Sequence, residues 1–343
     1  MGPIQWTSYE NEYAREKMRR LNNIRKKDLY NDQQNSDYSI RTRQTCNIVY
    51  DDDSFRKGKD EEKKIKTYER MRQNGNFSFE DKLNLYAPKF YKILENINRF
   101  IEGETPTGKV LYYSDFRKDS GSEAFEQILQ ENGYEKYDHN KKDINTLISE
   151  GSKKKRYTFL TGEEEQELRK YNKEAFNHDE NVRGEYIQVI LISSAGAEGI
   201  SLKCVRQVHI MEPFWNYIRI DQVFGRAIRM KSHINELLPK EERNVEQYLY
   251  LSSLPGGNTV EEVFNQMKRE KWPDVEEIEI DNGDDIKMIL LDKHKPVYKT
   301  ITKIISMKKE TGNRSVDQLL FDIMERKNVI SSNITDIIKE SSV

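Results

Sequence analysis

Apolar residues cluster in short runs along this 343-residue chain, and their spacing predicts strands alternating with helices. Before position 86 the apolar positions are sparse. Residues 5–30 form a charged, breaker-free run containing Tyr9, Tyr13 and Leu21, which predicts a helix. Residues 31–37 (NDQQNSD) read as a polar loop, and Ser39 to Tyr50 (SIRTRQTCNIVY) alternates enough to predict an extended segment. The charged stretch 51–82 holds few apolar side chains, which predicts a linker or surface insertion rather than core.

From Tyr86 the pattern tightens. Pro88 suits a first helical turn, and Phe90, Ile93, Leu94, Ile97 and Ile101 follow at helical spacing. Val110 to Tyr113 predicts a short strand, and Ser122 to Glu131 a helix ended by Gly133. The polar, lysine-rich residues 138–155 predict a loop or excursion. Tyr157 to Leu160 predicts a strand, with Thr161 capping a helix whose first turn holds Glu163, Glu164 and Glu165. Ile187 to Ile192, Val205 to Met211 and Tyr248 to Leu251 predict three more strands. Strands separated by crossover-length segments imply a parallel sheet covered on both faces. Function in such sheets collects beyond the carboxyl ends of the strands, and Ser114, Thr161 and Ser193 all lie there. After Gly257 comes a tail with helical-looking residues 315–340.

The stretch 187–229 is the most informative. Its first strand breaks into a glycine-bearing loop, Ser193 to Gly199, and its second stops at Pro213. The following helix places Arg219, Gln222, Arg226 and Arg229 on one face, beside an apolar face of Ile220, Val223, Phe224 and Ala227. Gly225 costs such a helix roughly 1 kcal/mol against alanine, which predicts a close approach to its backbone.

Composition narrows the class. The chain is 35% hydrophobic and 34% charged with a net charge of −2, so no global basic field argues for nucleic acid. Residues 15–27 hold seven Lys/Arg against one Glu, and residues 274–285 hold seven Asp/Glu; such runs read as solvated surface. Cys46 and Cys204, the only cysteines, are far apart, which suits a reducing cytoplasmic or nuclear compartment. The five histidines show no ligand spacing, so no metal site is expected. Neither a membrane-length apolar run nor a signal peptide pattern is visible.

Residues 103–110 (GETPTGKV) come within one residue of a phosphate-binding loop. That loop needs a strand before it, a helix after it and a closing hydroxyl; here a helix precedes, a strand follows, and Val110 closes the run. No Asp-Glu pair ends an apolar strand either. The complete phosphate and magnesium machinery of a motor is therefore not expected in this chain.

Together these motifs resemble the C-terminal RecA-like lobe of a superfamily 2 helicase. Gln222-x-x-Gly225-Arg226-x-x-Arg229 resembles motif VI; Ser193 to Ile200 resembles motif V in its Snf2-like form; Val110 to Phe116 resembles motif IV. Glu212-Pro213-Phe214-Trp215-Asn216, Arg229 to His233 and Leu238-Pro239-x-x-Glu242-Arg243 are similar to the helicase-like NTPases and early transcription factor small subunits of large cytoplasmic DNA viruses. The resemblance implies an α/β fold, a RecA-like parallel sheet flanked by helices with helical and charged N- and C-terminal extensions. It divides the chain into an N-terminal region 1–85, the lobe 86–256 and an extension 257–343.

The resemblance also implies roles. Arg226 and Arg229 are expected as arginine fingers, since a planar, permanently charged fork suits charge spreading over phosphoryl oxygens. Gly199, Glu198 and Gln222 are expected at ATP. Ser114, Thr161, Gly162 and Ser193 are expected at a nucleic-acid backbone, DNA or RNA; an N-cap role alone would account for Thr161. Trp215 and Phe214 read as loop packing before base stacking, and Lys153 to Arg156 as a solvated run. ATP would come with Mg2+ held by a first lobe supplied separately, so this chain would not hydrolyse ATP alone. The rival expectation is a non-catalytic scaffold or nucleic-acid-binding subunit of a viral transcription complex.

Overall fold

The computed structural model describes residues 1–25, 39–51, 61–100, 108–151, 154–162, 164–193, 200–229, 232–233, 238–255, 311–312 and 314–341. Six parallel strands form one sheet in the order β2-β3-β4-β1-β5-β6. They are β1 (Lys109–Tyr113), β2 (Glu135–Lys136), β3 (Arg156–Leu160), β4 (Val189–Ile192), β5 (Val205–Ile210) and β6 (Glu246–Leu249). The expected parallel α/β sheet is present. Two differences are the short edge strand β2, which no apolar run announces, and β6, which starts two residues before the expected Tyr248.

Strand pleating divides the core into two layers. Val110 and Tyr112 of β1 point to one side, with Val189 and Leu191 of β4. That side is covered by α5 (Pro88–Arg99) through Phe90, Ile93, Leu94 and Ile97, and by α6 (Ser122–Glu131) through Phe125, Ile128 and Leu129. Leu111 and Tyr113 point to the other side, with Ile190, Ile192, Val208 and Ile210. There the cover is α7 (Ile144–Ser149), α8 (Gln166–Phe176) and α9 (Tyr217–Ala227). The short helix α7 lies inside the stretch expected to be a loop; Asp143 caps it by accepting from the Thr146 N–H at 2.7 Å, and Ile144 and Leu147 are buried.

The N-terminal region is better built than its sequence implies. Helix α1 (Pro3–Arg25) buries Trp6 and Tyr9. The expected extended segment is a helix, α2 (Ile40–Asn47). Glu16 of α1 accepts from the Arg41 N–H at 2.9 Å and the Thr42 hydroxyl at 2.5 Å, so a carboxylate from a distant residue satisfies the first turn of α2. Ile48, just beyond it, is extended. The charged stretch read as linker is also corrected within its described part. Residues 61–73 form α3 (Glu61–Gln73), which buries Met71, and Phe77 follows it into the core. A few apolar side chains at the right positions suffice, because most of the charged ones face solvent and the buried one, Lys64, is paired with Asp119. Helix α4 (Leu83–Tyr86) leads into α5.

The tail returns to the lobe as α10 (Val316–Ser341), in agreement with the helical-looking 315–340. Val316, Leu320 and Met324 are buried at four-residue spacing, and Met324 joins the α9 side of the core. Asp317 is fully buried and forms an ion pair with Lys89 of α5. The loop 31–37, most of the tail before Val316, and Ile101 lie outside the described residues. No described helix is long and apolar enough to cross a membrane.

Candidate nucleic-acid edge and arginine helix

Register fixes the first half of the site. Tyr113 pairs with Ile192 and with Ile210, and Leu160 pairs with Ile192. The next residues, Ser114, Thr161, Ser193 and Met211, therefore leave the sheet along one edge, as expected of the first three. Their side chains are withdrawn from the surface: Ser114 and Thr161 are fully buried, and Ser193 is 7% exposed. Gly162 alone of the four candidates is exposed.

Beneath Ser114 lies Glu212, a residue with no role assigned from sequence. Its carboxylate accepts from Ser114 Oγ at 2.7 Å, Asn47 Nδ2 at 2.6 Å and the Asp115 N–H at 3.0 Å. Burial, reinforced by the nearby Asp115 carboxylate, pushes its pKa up to about 7; the bonds from Ser114 and Asp115 and the Lys89 ammonium oppose that rise. Lys89 donates to Asn47 Oδ1 and to the Met211 carbonyl, each at 3.1 Å. Helices α2, α5 and α10 thus converge under the end of β1.

Asp115 is the second unassigned residue. It accepts from the Tyr113 hydroxyl at 2.6 Å and pairs with Arg219 at 2.8 Å and with Arg43 at 3.8 Å. The loop it opens is tightly folded. A Cβ on Gly121 would lie 1.5 Å from the Phe116 carbonyl oxygen, so only glycine fits there. Asn47 Nδ2 also reaches the Ser120 carbonyl at 3.1 Å, and Lys64 pairs with Asp119 at 2.5 Å. On this clamped loop Lys118 is exposed.

Thr161 does not cap α8, whose N-cap is Glu165. Instead its N–H and hydroxyl both donate to Glu164, at 2.6 and 2.7 Å, and Arg117 donates to its hydroxyl oxygen. A nearby carboxylate and guanidinium outcompete the helix terminus for this side chain. It joins the β3 and β1 edge loops.

The second half of the site is α9. Asn216 caps it by accepting from the Ile218 N–H at 3.0 Å, and Ile220, Val223, Phe224 and Ala227 are buried on the sheet. The polar stripe is split between different jobs. Arg219 pairs with Asp115, donates through Nε to the Tyr113 hydroxyl at 3.1 Å, and lies 4.4 Å over the Phe214 ring. Gln222 is exposed and Arg226 half-buried. Arg229 lies past the helix end at Ala227, so it does not continue the helical face. The side of Gly225 where a Cβ would stand is open among the described residues, with nothing within 4 Å.

The far end of α9 is anchored to the segment feeding β5. The Leu202 N–H donates to the Arg226 carbonyl at 3.2 Å, and Arg229 Nη1 donates to Ser201 Oγ at 2.6 Å. Ser232 closes the helix through Ala227 O at 2.9 Å, and His233 Nε2 lies 2.7 Å from Val205 O. The β1 edge loop and the pair Arg226 and Arg229 therefore lie at opposite ends of one helix. Glu198 and Gly199 lie outside the described residues, as do Lys153 and residues 101–107.

Lys109, at the end of the near-match to a phosphate loop, is fully buried and donates to the Phe176 carbonyl at 2.8 Å, with its pKa lowered to about 8 by burial. It cannot face a nucleotide from there. Trp215 is 46% exposed, with Lys327 of α10 lying 4.2 Å over its ring. Lys154 pairs with Glu135 at 2.5 Å, and Arg156 is buried at the start of β3. Among the described residues no group of three or more His, Cys, Asp or Glu side chains could hold a metal ion.

The crystal structure of the C-terminal part of the Fun30 ATPase domain is similar at 14% identity and a TM-score of 0.46, over 90% of this chain and 94% of that one. The mimivirus protein named "Putative ATP-dependent RNA helicase R563" is 31% identical over 259 residues, covering 74% of this chain and 39% of that protein. A "Termination factor NPH-I homolog" of African swine fever virus is 33% identical over 223 residues, covering 54% of this chain and 30% of that protein. The chain thus spans well under half the length of these curated relatives. The family model described as helicase conserved C-terminal domain matches residues 91–231, from α5 through the end of α9. Residues 91–231 thus carry the likeness to a helicase conserved C-terminal domain, and the chain is similar to those mimivirus and African swine fever virus proteins.

Proposed function

We propose that this chain is the second lobe of an ATP-dependent nucleic-acid helicase or translocase. It supplies Arg226 and Arg229 to an ATP site completed by a separate first lobe. The observation that carries this reading is the anchoring of the arginine end of α9 to Ser201 and Leu202, directly after the glycine-bearing loop. That contact ties the segment resembling motif VI to the residues that follow, in sequence, the segment resembling motif V. Arg229 is exposed, and its guanidinium is steadied by Ser201 Oγ and by the Gly225 carbonyl at 3.1 Å. A fixed, solvent-facing guanidinium fits a polyphosphate delivered from outside the lobe.

ATP, when bound, brings the phosphoanhydride whose cleavage drives movement, with Mg2+ held by the first lobe. This chain's part is to place positive charge at the phosphates through Arg226 and Arg229, with Gln222, Glu198 and Gly199 as the further ATP-binding candidates. Nucleic acid lies along the opposite edge, at the loops of Ser114, Thr161, Gly162 and Ser193. Because Ser114 and Thr161 are engaged internally, their role there is to shape the loops. The exposed backbone at Gly162 and the Lys118 ammonium make the phosphate contacts.

The test is complementation. The chain alone should not hydrolyse ATP; mixed with a separately produced first lobe carrying a phosphate-binding loop and an Asp-Glu box, it should show nucleic-acid-stimulated hydrolysis. A stable complex of the two without hydrolysis would favour the non-catalytic scaffold.

A further inference from the structure

One helix spans the distance between the proposed nucleic-acid edge and the proposed phosphate contacts. Arg219 stands in the first turn of α9, against the loop that follows β1. Arg226 stands seven residues later, about 10 Å along the axis at the usual rise per residue. The inner face between them is buried on the sheet, so the helix moves as a body or not at all.

The join at the first turn is a specific one. Arg219 uses Nη2 on Asp115 Oδ1 at 2.8 Å and Nε on the Tyr113 hydroxyl at 3.1 Å, while that hydroxyl donates to the same Oδ1 at 2.6 Å. A guanidinium held at two points over the Phe214 ring transmits orientation as well as charge. Asp115 also donates its N–H to the buried Glu212, which fixes the loop from below. Its side chain is 12% exposed and that of Arg219 33%, so solvent screens the pair only in part.

We infer that Asp115 is a positioning residue that couples the nucleic-acid edge to the arginine end of α9 through Arg219. This rests on the nucleic-acid reading of that edge given above. A phosphate drawn to the 114–121 loop shifts the Asp115 carboxylate, Arg219 follows, and α9 carries the displacement to Arg226 and Arg229. Neither Asp115 nor Arg219 touches the nucleotide.

The experiment is amide hydrogen exchange on the full chain, with and without a fluorescein-labelled oligothymidylate or oligouridylate, and anisotropy in parallel. In the parent chain the oligonucleotide should slow exchange by about threefold or more both at 114–121 and at 219–229. Arg219→Gln should bind within about twofold of the parent and keep the slowing at 114–121, yet lose it at 219–229. Arg219→Lys, which keeps the charge without the fork, should lose most of it too, and serves if the glutamine variant does not fold. A purely structural contact would lower the melting temperature of these variants but leave the oligonucleotide-induced difference in place. Slowing at 219–229 that persists in both variants overturns the coupling. Slowing confined to 114–121 in the parent overturns the coupling alone, whereas no slowing at 114–121 overturns the nucleic-acid reading and the coupling with it.

Discussion

Arg229 and Ser201 meet at 2.6 Å across 28 residues of sequence, and the contact ties the end of the arginine helix to the segment that leads into β5. The guanidinium is exposed, so the bond orients it without contributing much to folding. Ser201→Ala should leave the thermal midpoint almost unchanged. In the complemented enzyme it should lower stimulated hydrolysis by about three- to tenfold, less than the loss of Arg229 itself. Steady-state rates beside a melting curve check both.

Glu212 gives the lobe a stability that depends on pH. Its folded pKa is raised to about 7, chiefly by burial and then by Asp115, against an ordinary value of 4.5. The folded chain therefore binds the extra proton between those values, and stability falls as pH rises from about 4.5 to about 7, then levels. The contribution is roughly 3 kcal/mol over that window. In Glu212→Gln this dependence should vanish; denaturant unfolding at a series of pH values compares the two chains.

Lys89 and Asp317 form a buried ion pair, with side chains 4% and 0% exposed, between α5 and the C-terminal helix. Lys89→Met leaves the Asp317 carboxylate buried without its partner and should cost about 3–5 kcal/mol. Lys89→Met combined with Asp317→Leu should recover much of that loss, because neither charge then remains to be desolvated. Urea unfolding of the single and double variants measures the difference.

Lys118 is the exposed cation of the β1 edge loop. If it meets one phosphate, Lys118→Ala should weaken single-strand binding without regard to sequence. It should also reduce the slope of log affinity against log salt by about 0.7. Anisotropy titrations at several salt concentrations read that slope.

The central strands, α5, α6 and α9 were legible because each carries its own apolar period. Val110 to Tyr113 and Val189 to Ile192 are buried on both faces, so continuous apolar runs marked them. What stayed hidden depends on distant partners. Helix α2 is started by Glu16, and Thr161 is drawn from its expected cap by Glu164 and Arg117. Arg219 reads as one more member of the arginine stripe, and its contacts with Asp115, Tyr113 and Phe214 separate it from Arg226 and Arg229. Glu212 and Asn47 carry no local signature at all. A buried carboxylate 165 residues from its amide donor can be seen only in the folded chain.

The central claim, that this lobe completes an ATP site with its arginines, is tested most directly by one rate. Nucleic-acid-stimulated hydrolysis should be measured for the chain mixed with a first lobe, with Arg229 intact and as Arg229→Ala. Loss of a finger that stabilises the transferring phosphoryl group predicts a fall of about a thousandfold or more in the stimulated rate, with the two lobes still associating. Hydrolysis that continues unchanged in Arg229→Ala would contradict the account.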